Sequence, residues 1–173
     1  METAESSPSV DSQHWYVAYT LPRHEKAVAH RLWIQKIASY VPLYTDERHW
    51  RNRRLEVELP LFPGYVFVRM ALTDRVHVLS HPGVVRLLTA NGEIAPIPDA
   101  EMQRLQACVA TWKVRPFPFF VSGKRVRIKS GPFAGLEGTI LRRQGKRKMI
   151  VTLDLIQSAM VLDLDPAQAQ LAS

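Results

Sequence analysis

The chain has 173 residues, of which 46% are hydrophobic, with a single cysteine and a net charge of +7. That apolar share suffices for a core, no run approaches the roughly 18 apolar residues of a membrane-spanning helix, and one cysteine excludes an internal disulfide or a thiol cluster for metal. The positive excess falls after residue 110; it marks either a basic module with its own partner or a solubilising charge on a small domain.

Residues 1–12 are acidic and small, without the basic start and apolar middle of a secretory signal. They are expected to be a disordered tail, and the whole pattern fits a cytoplasmic protein. His14 to Thr20 is aromatic and β-branched and predicts a strand. Pro22 suits the first turn of a helix with Glu25 near its positive end, and Val28, Leu32 and Trp33 carry that helix to about Ile37. Val41 to Thr45 predicts a second strand. The alternation of Leu55, Val57 and Leu59 with Glu56 and Glu58 predicts a third, and Asp46 to Arg54 is a charged hairpin tip between them. Tyr65 to Met70 forms the next strand.

Thr73 is positioned to cap a short helix bearing Val76 and Leu79, ended by His81-Pro82-Gly83. Val84 to Leu88 gives another strand, and Asn91-Gly92 is a tight turn. Asp99 caps a last helix with Met102, Leu105 and Val109 on one face. This order predicts an α+β domain, an antiparallel sheet flanked by helices, over residues 13–110. Pro116 and Pro118 exclude a helix and stiffen a linker at 111–120. Beyond it, short strands and glycine turns over 121–173 predict a small all-β barrel.

No catalytic constellation emerges. None of His14, His24, His30, His49, His77 and His81 falls at a metal-binding spacing, and Gly131 to Gly138 lacks the ending of a phosphate loop. Cys108 sits among apolar neighbours as a small core residue. No enzymatic activity, metal or cofactor is expected.

Four blocks then occur in order: W-Y-V-A-Y-T-L-P-R-H-E-K, L-F-P-G-Y-V-F-V, H-P-G-V-V-R-L-L and S-G-K-R-V-R-I-K-S-G-P-F-A-G-L-E-G-T-I. Together they resemble the NusG family of bacterial transcription elongation and antitermination factors. The resemblance implies an amino-terminal (NGN) domain that docks on the clamp helices of RNA polymerase. It also implies a five-stranded, SH3-like KOW barrel that recruits a ribosomal protein or the termination factor Rho, in a likewise soluble monomer. The KOW motif carries over onto Gly123, Val126, Ile128, Gly131, Pro132, Phe133, Gly135 and Gly138. The polymerase-binding corner carries over onto Phe62, Pro63, Gly64 and Tyr65. Two placements are open there: both rings pack inward, or they are exposed as anchors, which the resemblance favours more strongly for Tyr65.

The resemblance also turns Arg23, His24, Lys26 and Arg31 toward upstream or non-template DNA. Singly, each reads equally well as part of a solvated helix face. Arg48, Arg51, Arg53 and Arg54 around Trp50 suit nucleic acid by charge and stacking, or else a solubilising hairpin end. Arg75 and His77 fall near the opposite jaw of the polymerase cleft. Housekeeping members carry a Phe-Gly-Arg-like run where this chain has Gln157-Ser158. That departure implies an operon-specialised paralogue (RfaH-, UpxY- or LoaP-like), with the housekeeping factor, or a ribosome- or RNA-associated KOW module, as the alternatives. Leu155 and Ile156 are candidate partner contacts or barrel core, and the β-branched run 150–152 predicts strand rather than helix over 149–165.

Overall fold

A computed structural model describes residues 12–117, 124–129, 134–143, 146–163 and 171–172. The first half runs β1 (His14–Thr20), α1 (Glu25–Ile34), β2 (Ala38–Tyr40), β3 (Leu43–Trp50), β4 (Arg53–Pro60), β5 (Tyr65–Met70), α2 (Arg75–Leu79), β6 (Val84–Leu87), β7 (Thr89–Ala90) and β8 (Glu93–Ile94). The second runs α3 (Asp99–Thr111), β9 (Val114–Phe117), β10 (Lys124–Ile128), β11 (Glu137–Arg143), β12 (Lys146–Leu153), β13 (Ser158–Asp163) and β14 (Leu171–Ala172). Two compact units emerge: residues 1–40 with 64–99, and residues 41–63 with 100–173.

The first unit is built on an antiparallel sheet of order β2-β5-β1-β6. β1 and β5 are its centre because both are apolar on both faces: Val17, Ala18, Val66, Phe67 and Val68 are fully buried. Val28 and Leu32 of α1 and Val78 of α2 are equally buried. Each of the valine, leucine and phenylalanine side chains contributes roughly 1.5–3 kcal/mol. The helix is shorter than the sequence suggests. Arg23 adopts a φ of 65°, so Pro22 lies in the turn before α1 rather than in its first turn. Trp33 is 70% exposed and does not share the buried face of Val28 and Leu32. Thr73 falls inside a 3₁₀ turn, Leu72–Asp74, and does not cap α2, which buries Val78 rather than Val76 or Leu79. Asn91 and Gly92 form the expected tight turn, both at positive φ, between β7 and β8.

The second unit holds the β3–β4 hairpin, residues 100–111 of α3 and a six-stranded antiparallel sheet of order β14-β10-β11-β12-β13-β9. The strand expected over 41–45 is interrupted by Pro42, which has no N–H to give a ladder, and β3 starts at Leu43. The hairpin extends much farther than a tip: the ladder runs unbroken from Leu43↔Pro60 to Trp50↔Arg53. Met102, Leu105 and Cys108 form the buried face of α3, with Val109 only half-buried. Within the expected linker, Val114–Phe117 instead forms β9 and pairs with β13 alone. Pro116 is tolerated because an edge strand need not donate on both sides. Residues 118–120 of that linker, and the tail apart from Ser12, lie outside the described residues.

Strands, not helix, occupy most of 149–165, and Met149, Ile150, Met160 and Leu162 are fully buried between them. Gly138 is required where β11 and β12 cross closely, since a Cβ there would run into the Ile150 carbonyl. No helix among the described residues is long and apolar enough to cross a membrane.

Candidate functional site

The corner between β4 and β5 separates its two aromatics. Phe62 is 2% exposed and is not the surface anchor the resemblance implies, whereas Pro63 is exposed and Tyr65 half-exposed. A ring as large as phenylalanine is buried by default, and nothing polar on it needs water. The tyrosine keeps a polar tip that suits a boundary position.

Tyr65 is not alone. The register of the sheet sets it opposite Tyr19 on β1, and Tyr19 opposite Arg86 on β6. The two rings lie 5.6 Å apart at 54°, and the Arg86 guanidinium stands 5.4 Å over the Tyr19 ring. The result is a row of aromatic, aromatic and cation across three strands. Both contacts fall within the ranges for tilted ring pairs and for cation–π attraction.

The backbone beneath this row is fixed by Gly64. Its φ is +85°, and a Cβ would stand 3.1 Å from Cε2 of Tyr19. Its carbonyl accepts from the Thr20 N–H at 2.8 Å, and its own N–H donates to Oε1 of Glu25 at 2.7 Å. Glu25 is 3% exposed. The sequence marks Glu25 only as a helix-dipole partner and does not single out Tyr19 and Arg86, because strand register is not written in composition.

In α1 and just before it, the residues expected to face DNA include side chains held by backbone carbonyls. The Arg31 guanidinium donates to the Pro82 carbonyl at 3.0 Å, and Nδ1 of His24 donates to the Pro22 carbonyl at 3.0 Å. Arg23 and Lys26 are exposed at the start of α1. Arg75 donates to the Leu72 carbonyl at 3.2 Å, and His77 lies 4.0 Å from Asp74.

The arginine cluster of the β3–β4 hairpin divides between two faces. Cross-strand pairing puts Trp50 with Arg53 and Arg48 with Leu55 on one face, and His49 with Arg54 on the other. Arg51 occupies the two-residue turn with Asn52, both at positive φ. Trp50 is 66% exposed, and Arg48 is paired at 3.3 Å with Asp46 beside it. The ribbon therefore presents one aromatic-basic face rather than an all-round cationic tip.

In the carboxy-terminal sheet, Ile156 is buried and takes the core placement rather than that of a partner contact; Leu155 is half-buried. Ile128, Gly135 and Gly138 fall in or beside β10 and β11, and Val126 lies in β10, but Gly123, Gly131, Pro132 and Phe133 lie outside the described residues. Arg127 is ion-paired with Glu137 directly across the ladder, which holds that carboxyl below its usual range. No group of three or more metal-ligating side chains occurs among the described residues.

Comparison with known proteins is consistent with this layout. The family model described as transcription termination factor nusG matches residues 13–106, and the KOW motif model matches 122–154. The chain is 32% identical over 174 residues to the transcription termination/antitermination protein NusG of Lactococcus lactis, covering 91% of this chain and 92% of that protein. It is 33% identical over 129 residues to the protein of the same name from Escherichia coli K12, covering 70% of each. A solved structure titled "Domain interaction in Thermotoga maritima NusG" superposes with a TM-score of 0.60 at 23% identity, covering 94% of this chain and 98% of that one, a likeness of fold.

Proposed function

The chain belongs to the NusG family, and from that premise we propose that it is a general transcription termination/antitermination factor that binds bacterial RNA polymerase. The relatives carry the general NusG name, which favours this over the operon-specialised role expected from Gln157-Ser158. They are named as transcription factors rather than enzymes.

The observation that carries the reading is the row of Tyr65, Tyr19 and Arg86 on a corner whose backbone is fixed at Gly64. Aromatic and arginine side chains are the residues that dominate interface energies, and pre-ordering them lowers the entropy cost of docking. In this reading the clamp helices pack on Tyr65. The module is 13–110, and the KOW module at 121–173 follows a 111–120 segment whose Val114–Phe117 joins its sheet as β9. The KOW module recruits a ribosomal protein or Rho. The hairpin face bearing Trp50, Arg48 and Arg53, with Arg51 at its end, and the Arg23–Lys26 end of α1, lie against upstream or non-template DNA. Work on polymerase places the protein in the cytoplasm.

Binding of the full chain to RNA polymerase core tests this, wild type beside Tyr65→Ala with folding checked by circular dichroism. Binding by the wild type that falls about tenfold or more in a folded Tyr65→Ala variant is expected of an interface anchor. Wild-type protein that does not bind core polymerase refutes the reading.

A further inference from the structure

We propose that Glu25 is a positioning residue for polymerase docking, acting through Gly64 on Tyr65; this rests on the docking role proposed above. A glutamate in the first turn of a helix needs only exposure to complement the helix dipole. Glu25 is instead buried to 3% exposure, and a buried carboxylate is costly unless it is hydrogen-bonded. Its Oε1 accepts the Gly64 N–H at 2.7 Å, the length of a charge-assisted bond. The bond spans 39 residues of sequence and ties the start of α1 to the start of β5.

Its effect follows from where Gly64 stands. The Thr20 N–H already holds the Gly64 carbonyl at 2.8 Å. With Glu25 on the N–H, both backbone groups of Gly64 are held, so the peptide planes on either side cannot swing. Tyr65 is the next residue, and its ring meets Tyr19 at 5.6 Å. Without the Glu25 bond, Gly64 keeps only one tether, and glycine is the residue with the widest backbone freedom. The direction in which the Tyr65 ring leaves the chain is then no longer set before docking.

The test separates reach from charge. Glu25→Asp keeps the charge and withdraws the acceptor by one methylene. Glu25→Gln removes the charge and keeps a carbonyl oxygen at the same reach. Hydrogen exchange at the Gly64 amide is followed by NMR on the full chain, and affinity for RNA polymerase core is measured beside Tyr65→Ala. Glu25→Asp is expected to speed Gly64 exchange and to weaken polymerase binding by about tenfold, the order of one charge-assisted hydrogen bond. Glu25→Gln is expected to stay within about threefold of wild type. A wild-type Gly64 amide that exchanges like an open loop overturns the inference without any variant. So does a freed Gly64 amide in Glu25→Asp with undiminished affinity while Tyr65→Ala loses binding. If Glu25→Asp and Tyr65→Ala both bind like wild type, the docking reading itself falls and this inference with it.

Discussion

Phe62 and Tyr65 flank the same Pro-Gly corner, yet they are expected to fail in opposite ways when truncated. Phe62 is 2% exposed, so Phe62→Ala removes a buried ring from a site that cannot fully collapse, at a cost of about 3–5 kcal/mol. In a chain of this size that lowers the melting temperature by roughly 6–20 °C. Tyr65 is half-exposed and its main ring contact is Tyr19, so Tyr65→Ala forfeits partial burial and a ring pair of about 0.5–1.5 kcal/mol, a fall of a few degrees. Thermal melts followed by circular dichroism read the first quantity, and equilibrium binding to RNA polymerase core reads the second. The expected pattern is a crossed one: Phe62→Ala mainly loses stability, and Tyr65→Ala mainly loses affinity. A Phe62→Ala protein melting within about 3 °C of wild type would show that the ring is not packed as described, and the assignment of the two aromatics would have to be exchanged.

Gly138→Ala sets a methyl against the Ile150 carbonyl, a backbone atom that cannot rotate away, and is expected to destabilise the carboxy-terminal sheet by about 2 kcal/mol or more; an unchanged denaturation midpoint contradicts the close crossing of β11 and β12. Burial pushes the Cys108 thiol up to about 12, so it stays protonated throughout the neutral range. A thiol reagent at pH 8 should therefore label it no faster than the protein unfolds, and rapid labelling of native protein contradicts the buried face of α3. On the β3–β4 ribbon, Arg53→Ala is expected to lower the salt slope of single-stranded DNA binding by about 0.7, whereas Trp50→Ala costs about 1–3 kcal/mol and leaves the slope unchanged. Identical binding isotherms for both variants and the wild type remove nucleic acid from that face.

The elements were legible where the signal is local. The aromatic and β-branched run of β1, the Asn91-Gly92 turn and the amphipathic face of α3 each follow from neighbouring residues, and each stands where that pattern points. The misreadings are those that needed distant partners. Trp33 is at helical spacing from Val28 and Leu32, but the packing of α1 decides which edge of that stripe is covered, and it leaves Trp33 out. Val114 to Phe117 read as linker because Pro116 breaks helix and central strand alike; only the free edge of β13 makes it a strand. The aromatic row was half legible. Tyr65 stands out beside a Pro-Gly turn, but Tyr19, Arg86 and Glu25 join it only through sheet register and a hydrogen bond across 39 residues.

The departure at Gln157-Ser158, which pointed toward a specialised paralogue, has a backbone explanation. Gln157 has φ 46° and ψ 46°, in the left-handed region. A glycine at this position would enter that region without the cost a side chain incurs there, roughly 1–2 kcal/mol. This chain keeps the turn with glutamine by other means: the Gln157 N–H reaches the Asp154 carbonyl at 3.2 Å, and the Ser158 hydroxyl donates to the Ile156 carbonyl at 3.1 Å. Ile156 is buried beneath it and ties the turn to the core. The departure from the family run thus changes side chains at the β12–β13 connection, where this chain forms a defined turn. A change confined to displayed side chains bears on which partner binds there and how tightly. It gives no ground for a different architecture.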